Sequence, residues 1–181
     1  ALNQYLERDA DARMLRTRNR PLPQGRIHPA TALLFAASIS IGGILHLALA
    51  VNLITALLAA LTLTSYIFVY TPLKKVTSFC TLVGAVPGAL PPLGGWTAAQ
   101  GEIAYGGLAL FAILFVWQLP HSLAIGMMYR EDYALGGFRL LPVLDPDGGS
   151  TARQIVAHSL VLLPVSLLPA LLGIAGPVYF F

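Results

Sequence analysis

Five stretches of this chain, residues 30–51, 52–70, 79–99, 103–128 and 154–181, contain no Asp, Glu, Lys or Arg. Each is close to or above the roughly 20 residues that a helix needs to cross a hydrocarbon core about 30 Å thick. A backbone in lipid must bond to itself, and unbroken apolar runs lack the alternation of a barrel strand, so helices are the form open to them. One such run would also suit a helix buried in a soluble core, but five in succession would not. A mean hydropathy of +0.73 agrees, as does a content of 56% hydrophobic against 10% charged residues. The expected fold is all-α: a polytopic transmembrane bundle of five spans in one membrane domain, residues 1–181, embedded in a lipid bilayer.

The charges sort to one side of these spans. Arg8, Arg13, Arg16, Arg18, Arg20 and Arg26 precede the first, Lys74 and Lys75 lie between the second and third, and Arg130, Arg139 and Arg153 lie between the fourth and fifth. The loops on the other side, near Asn52 and at 100–102, hold no basic residue, so the positive-inside rule places the charged loops in the cytoplasm or its organellar equivalent. The domain thus divides into a charged helix end and loop over 1–29, and five spans over 30–181 with charged loops at 71–78 and 129–153. Orientation alone would explain the bases but not the acids, of which all but Glu102 share that side. Bases confined to juxtamembrane loops give no reason to expect a nucleic-acid partner.

The acids have a helical order. At 3.6 residues per turn, Asn3, Glu7 and Asp11 fall within an arc of about 80° while Asp9 points away. Oxygen-only ligands suit Mg²⁺, which takes one or two carboxylates and fills further positions with water and substrate phosphates. Guanidinium groups bind phosphate oxygens in pairs, so the arginines downstream would complete a diphosphate site. A solvated helix with mutual salt bridges would explain the stripe by itself. The blocks "YTPLKKVTS" and "MMYREDYALGGFRLLPV" tip the balance, because they bring Tyr70, Lys74, Lys75, Arg130, Glu131, Asp132 and Arg139 to the same membrane face.

The third span, "GAVPGALPPLGGW", holds prolines and glycines that disfavour a regular helix, and reads as a break that either packs closely or lines a substrate cavity. Cys80 is the single cysteine, which excludes an internal disulfide. "DPDGGS" reads as a turn and lacks the ligand spacing of a calcium loop. His46 reads as a helix residue on the far side, and His158 as undecided. The chain shows no secretory signal and no initiator Met.

"NQYLERDADARMLRTRNRPLPQGRI" resembles the first signature of the UbiA superfamily of intramembrane prenyltransferases, with Asn-xxx-Glu-xxx-Asp at Asn3, Glu7 and Asp11. The Glu variant, together with "YTPLKK", "GAVPGALPPLGGWTA", "WQLPHS" and "EDYALGG…LLPV" in order, is similar to the protoheme IX farnesyltransferase (heme O synthase) branch over residues 3–143. The chain departs from that pattern in three places. The second acidic motif is reduced to Glu131 and Asp132, with His121 where quinone prenyltransferases carry acids; Ser122 replaces an aromatic residue; and Leu140 replaces Met.

The resemblance implies about nine spans, so this chain is expected to be a fragment, inactive alone. It implies farnesyl diphosphate and heme B as substrates, Mg²⁺ as cofactor, a downstream heme A synthase as a partner, and the bacterial inner membrane, or the mitochondrial one, as location. Asn3, Glu7 and Asp11 would hold metal. Arg16, Arg20 and Lys74 would hold diphosphate, and Asp132 a second metal or the opposing wall. Ionisation of the allylic diphosphate would give a farnesyl cation that a heme vinyl group attacks. His121 is either a heme ligand or base, or a packing residue bonded to a neighbouring helix. Prenylation of a quinone precursor or chlorophyllide is the nearest alternative. A transporter is a further one, though it would place ionisable groups near mid-membrane.

Overall fold

The computed structural model describes residues 1–180. Its long helices fall on the expected spans: α1 (Pro29–Ala50), α2 (Leu53–Thr64), α3 (Cys80–Gln100), α4 (Tyr105–Met128) and α5 (Gly149–Ser166), with no strand among the described residues. Four segments, Pro29–Ala50, Leu53–Leu73, Tyr105–Met128 and Gly149–Leu171, are long and apolar enough to cross a membrane. The remaining helix, α3, has the length, 21 residues, but its glycines and prolines dilute its hydropathy. The chain is an integral membrane protein.

Local chemistry sets the helix ends. Pro29 opens α1 at a position where its missing N–H costs nothing, after the His28 ring accepts from Ala30 N. Asn52 caps α2 by accepting from Thr55 N at 2.8 Å, and its amide donates across to Thr97 O at 2.8 Å. Gly101, at φ 80°, ends α3 in the left-handed conformation that glycine adopts without strain. Ahead of α5, the Asp145 carboxylate accepts from Thr151 N at 2.7 Å and Thr151 Oγ1 at 2.8 Å. Those two donors hold the Asp145 carboxyl below its ordinary pKa.

Two expectations need correction. The third span is not broken: α3 runs continuously through Pro87, Pro91 and Pro92. Each proline removes one rung of the ladder, but the rungs between them persist, and packing supplies the remainder. The fifth span is shorter than 154–181. Its helix ends at Ser166, a new turn Leu168–Leu171 carries Pro169 at its start, and a 3-10 turn follows at Pro177–Phe180. Pro169 and Gly173, at φ 70°, are the stop signals. Phe181, where that expected span ended, lies outside the described residues.

Each long helix packs chiefly on its neighbour in sequence, with α3 and α4 most closely joined. Small residues allow this: a Cβ on Gly88 would meet the Gln118 amide, and one on Gly107 would meet Leu93 and Trp96. At the end away from the charged loops, the buried hydroxyls of Thr55 and Thr97 lie 2.9 Å apart and lock α2 to α3. Leu49 and Phe68, at 87% and 74% exposure, present the outer surface to lipid. A further cluster of buried residues, Ala10, Met14 and Phe138, lies in the charged head, where it joins the amino-terminal segment to the loop after α4.

Candidate active site

The short helices Leu2–Leu6 and Arg8–Asp11 are separated only by Glu7, whose φ of −100° and ψ of 7° bend the pair. The stripe survives the bend. Glu7 and Asp11 turn inward, 5% and 1% exposed, whereas the Asp9 side chain is 84% exposed and meets only Arg8. Such deep burial of carboxylates requires partners, because an unpaired charge out of water costs several kcal/mol. Glu7 forms an ion pair with Lys74 and accepts from Asn3 Nδ2 at 2.8 Å. Asp11 accepts from Arg20 Nη1 through both oxygens, at 3.0 and 3.2 Å. Asn3 Oδ1 in turn accepts from Thr71 Oγ1 at 3.2 Å.

The end of α2 delivers Thr71 and Lys74. A π-helical turn, Ser65–Tyr70, precedes the helical turn Thr71–Leu73. Its wider winding turns Tyr66 and Tyr70 into a tilted pair with centroids 5.2 Å apart. Lys74 Nζ lies 4.9 Å from the Tyr70 ring and 5.4 Å from Phe138, so its charge is held by a carboxylate and two aromatic faces. The loop after α4 is tied in by Arg139 N, which donates to Lys74 O at 2.7 Å, and by Arg13, which donates to Gly136 O at 3.1 Å.

Asp132 faces the arginine-rich segment from the other side. Its carboxylate accepts from the backbone of Leu15 at 2.6 Å and of Arg16 at 3.1 Å. Arg16 then stacks its guanidinium over Tyr129, 4.9 Å from the centroid, beside an open cavity of about 510 Å³ that Asp132 also lines. The structure therefore brings together Asn3, Glu7, Asp11, Arg20 and Lys74, with Arg16 and Asp132 at the edge. Arg130, expected in the same group, instead donates to Pro146 O at 2.9 Å and braces the turn before α5.

His121 stands apart. It is exposed on α4 and stacks on Trp117, with centroids 4.4 Å apart and planes 18° from parallel. Between α1, α2 and α3 runs an apolar cleft of about 550 Å³, lined by residues including Leu58, Thr62, Tyr66, Leu90, Pro91 and Gly94. The third span therefore lines a cavity while remaining helical. Thr71, Phe138 and Thr17, whose buried hydroxyl donates to Asp11 O at 2.9 Å, belong to the site and were not singled out from the sequence. Thr71 could have been, because it precedes Lys74 by three residues and so shares its helix face.

Among the described residues no group of three or more His, Cys, Asp and Glu side chains is gathered to hold a metal. The site nevertheless offers hard oxygen donors, two buried carboxylates and an amide, and Glu7 Oε1 has no neutral hydrogen-bond donor, only the Lys74 ammonium. That donor set fits a hard divalent cation.

The sequence profile of the UbiA prenyltransferase family matches residues 1–181. The chain is 53% identical over 179 residues to a protoheme IX farnesyltransferase of Solibacter usitatus, covering 99% of this chain and 61% of that protein. It is 48% identical over 180 residues to one of Koribacter versatilis, covering 99% and 58%. A third, from Anaeromyxobacter, is 51% identical over 179 residues, covering 99% and 60%. The chain thus spans less than two thirds of the length of these curated relatives. No solved structure matches.

Proposed function

The chain belongs to the UbiA prenyltransferase family, and we propose that it forms the diphosphate-binding part of an enzyme that transfers a farnesyl group from farnesyl diphosphate to a vinyl group of protoheme IX. One observation carries the reading. Two buried carboxylates and two cations, Glu7 with Lys74 and Asp11 with Arg20, meet in the charged head, and Tyr66, which lines the apolar cleft, accepts through its carbonyl from the same Thr71 hydroxyl that donates to Asn3. An isoprenoid diphosphate has that polarity: a trianionic head and a hydrocarbon tail. The acceptor follows from the relatives' names and from "WQLPHS" at 117–122.

In this reading Asn3, Glu7 and Asp11 would hold Mg²⁺, which would supply positive charge to offset the negative charge of a diphosphate leaving group. Lys74, Arg20 and Arg16 bind the diphosphate oxygens, and their charge matters most as the allylic C–O bond breaks and negative charge grows on the leaving group. The apolar walls keep water from the farnesyl cation. Asp132 holds the backbone that presents Arg16. His121, fixed in orientation by Trp117, contacts heme as an iron ligand or as a base near the vinyl carbon. The chain is part of a longer protein of about nine spans, its charged head in the cytoplasm of a bacterial cell, its product passed to a heme A synthase.

The test is direct. Membranes holding the natural full-length protein, given heme B, farnesyl diphosphate and Mg²⁺, should form a farnesylated heme detectable by mass, and chelation of the metal should stop it. His121→Ala should lower heme binding or turnover while farnesyl diphosphate binding stays within about twofold. Absence of any farnesylated heme would refute the assignment of acceptor, and parental turnover in the His121 variant would return that residue to packing.

A further inference from the structure

Resting on that reading of the site, we infer that the chain's own cations keep the metal site closed, and that Lys74 and Arg20 exchange partners when it opens, so that metal and diphosphate bind cooperatively. Every ligand proposed for the metal is already engaged. Asn3 Oδ1 accepts from Thr71, and Asn3 Nδ2 donates to Glu7 Oε2. Glu7 Oε1 faces the Lys74 ammonium, and both Asp11 oxygens face one nitrogen of Arg20.

The closure has a physical cause. Glu7 and Asp11 are almost wholly buried, so without metal they need a cation or a proton, and the chain supplies cations. A divalent ion entering alone would either displace Lys74 and Arg20 from their carboxylate partners or lie against both of them. Each outcome places like charges together where water screens them poorly. A diphosphate arriving with the metal removes the conflict. Its oxygens take the ammonium and guanidinium as these leave the carboxylates, and the carboxylates pass to the metal, so every charge keeps an opposite neighbour throughout.

Arg16 has a different place in the sequence of events. Among the described residues no carboxylate pairs with it, and its guanidinium lies over Tyr129 at the rim. It is thus a cation able to meet diphosphate before any pair opens. Coupling of this kind is reciprocal: the factor by which pyrophosphate tightens metal binding equals the factor by which metal tightens pyrophosphate binding.

The experiment uses Mn²⁺ as a metal visible by electron paramagnetic resonance and inorganic pyrophosphate as the anion, with the natural full-length protein in lipid nanodiscs. The parent should bind Mn²⁺ weakly without pyrophosphate. Lys74→Met frees Glu7 and should tighten Mn²⁺ binding in the absence of pyrophosphate by about tenfold, within the 5–150-fold usual for coupled sites, while pyrophosphate adds less than it does in the parent. Arg20→Gln should act in the same direction through Asp11. Because its side chain is 33% exposed, it carries the test if Lys74→Met does not fold. Folded variants that bind Mn²⁺ no tighter than the parent would overturn the exchange even if the parent's diphosphate site is real. A parent that takes up no Mn²⁺ even with pyrophosphate would end the metal-diphosphate reading itself, and the exchange with it.

Discussion

Replacing Asp132 by Asn separates an anchor from a metal ligand. The Asp132 carboxylate offers one oxygen to Leu15 N–H, at 2.6 Å, and the other to Arg16 N–H, at 3.1 Å. An Asn amide has one acceptor oxygen and one NH₂ group, so one backbone donor would face another donor, and the remaining bond would lose its charge. Hydrogen bonds to ionised groups contribute about 1.5–3 kcal/mol when sheltered. Both bonds lie at the exposed rim, and screening reduces the loss to about 1–2 kcal/mol. That corresponds to an increase of roughly 5–30-fold in the fraction of time the segment is open. Hydrogen exchange followed by mass spectrometry on peptides covering residues 12–20 should show faster exchange by that factor. Peptides around Thr55 and Thr97, at the opposite end of the bundle, should be unchanged. Unchanged exchange over residues 12–20 would refute the anchoring role. If Mn²⁺ binding in the presence of pyrophosphate were lost at the same time, Asp132 would be a metal ligand.

Other outcomes test the remaining steps. Cysteines placed singly at Gln24 and Gln100, in protein lacking Cys80, should react with an impermeant thiol reagent from opposite sides of the membrane; labelling of both from one side would contradict the topology. Glu7→Ala or Asp11→Ala should lower metal-dependent turnover by on the order of 100-fold or more, whereas Asp9→Ala, at an exposed side chain, should stay close to the parent; equal losses at all three would contradict the inward stripe. Gly106→Ala would set a Cβ 2.2 Å from Trp96 Cη2, an overpacking that costs about 1–3 kcal/mol and should lower the thermal midpoint. Gly42→Ala, with nothing within 4 Å, should not lower it. A Gly106 variant as stable as the parent would show that Trp96 has room to move.

What the sequence determines by itself follows from local and one-dimensional physics. A charge-free run as long as the hydrocarbon layer becomes a helix wherever it stands, and an excess of Arg and Lys in alternate loops is the signal by which such a set is expected to orient. The inward stripe of Asn3, Glu7 and Asp11 was legible too, because helical spacing places them on one face before anything packs against them, and the exposed Asp9 confirms the phase. Local chemistry gave less at the third span. Gly and Pro content argued for a break, yet α3 stays helical because the propensity lost at Pro87, Pro91 and Pro92 is a local cost, while packing on α2 and α4 is a tertiary gain that propensity does not contain. Only the tertiary structure decided which cation meets which acid. Lys74 is 67 residues from Glu7 and Asp132 is 116 from Arg16, separations over which spacing says nothing. The pairing depends on the π turn that aims the end of α2 and on the Met14–Phe138 contact that docks the loop after α4. The kinds of residue that the proposed diphosphate site needs are written along the chain; their partners exist only once the helices have brought distant loops together.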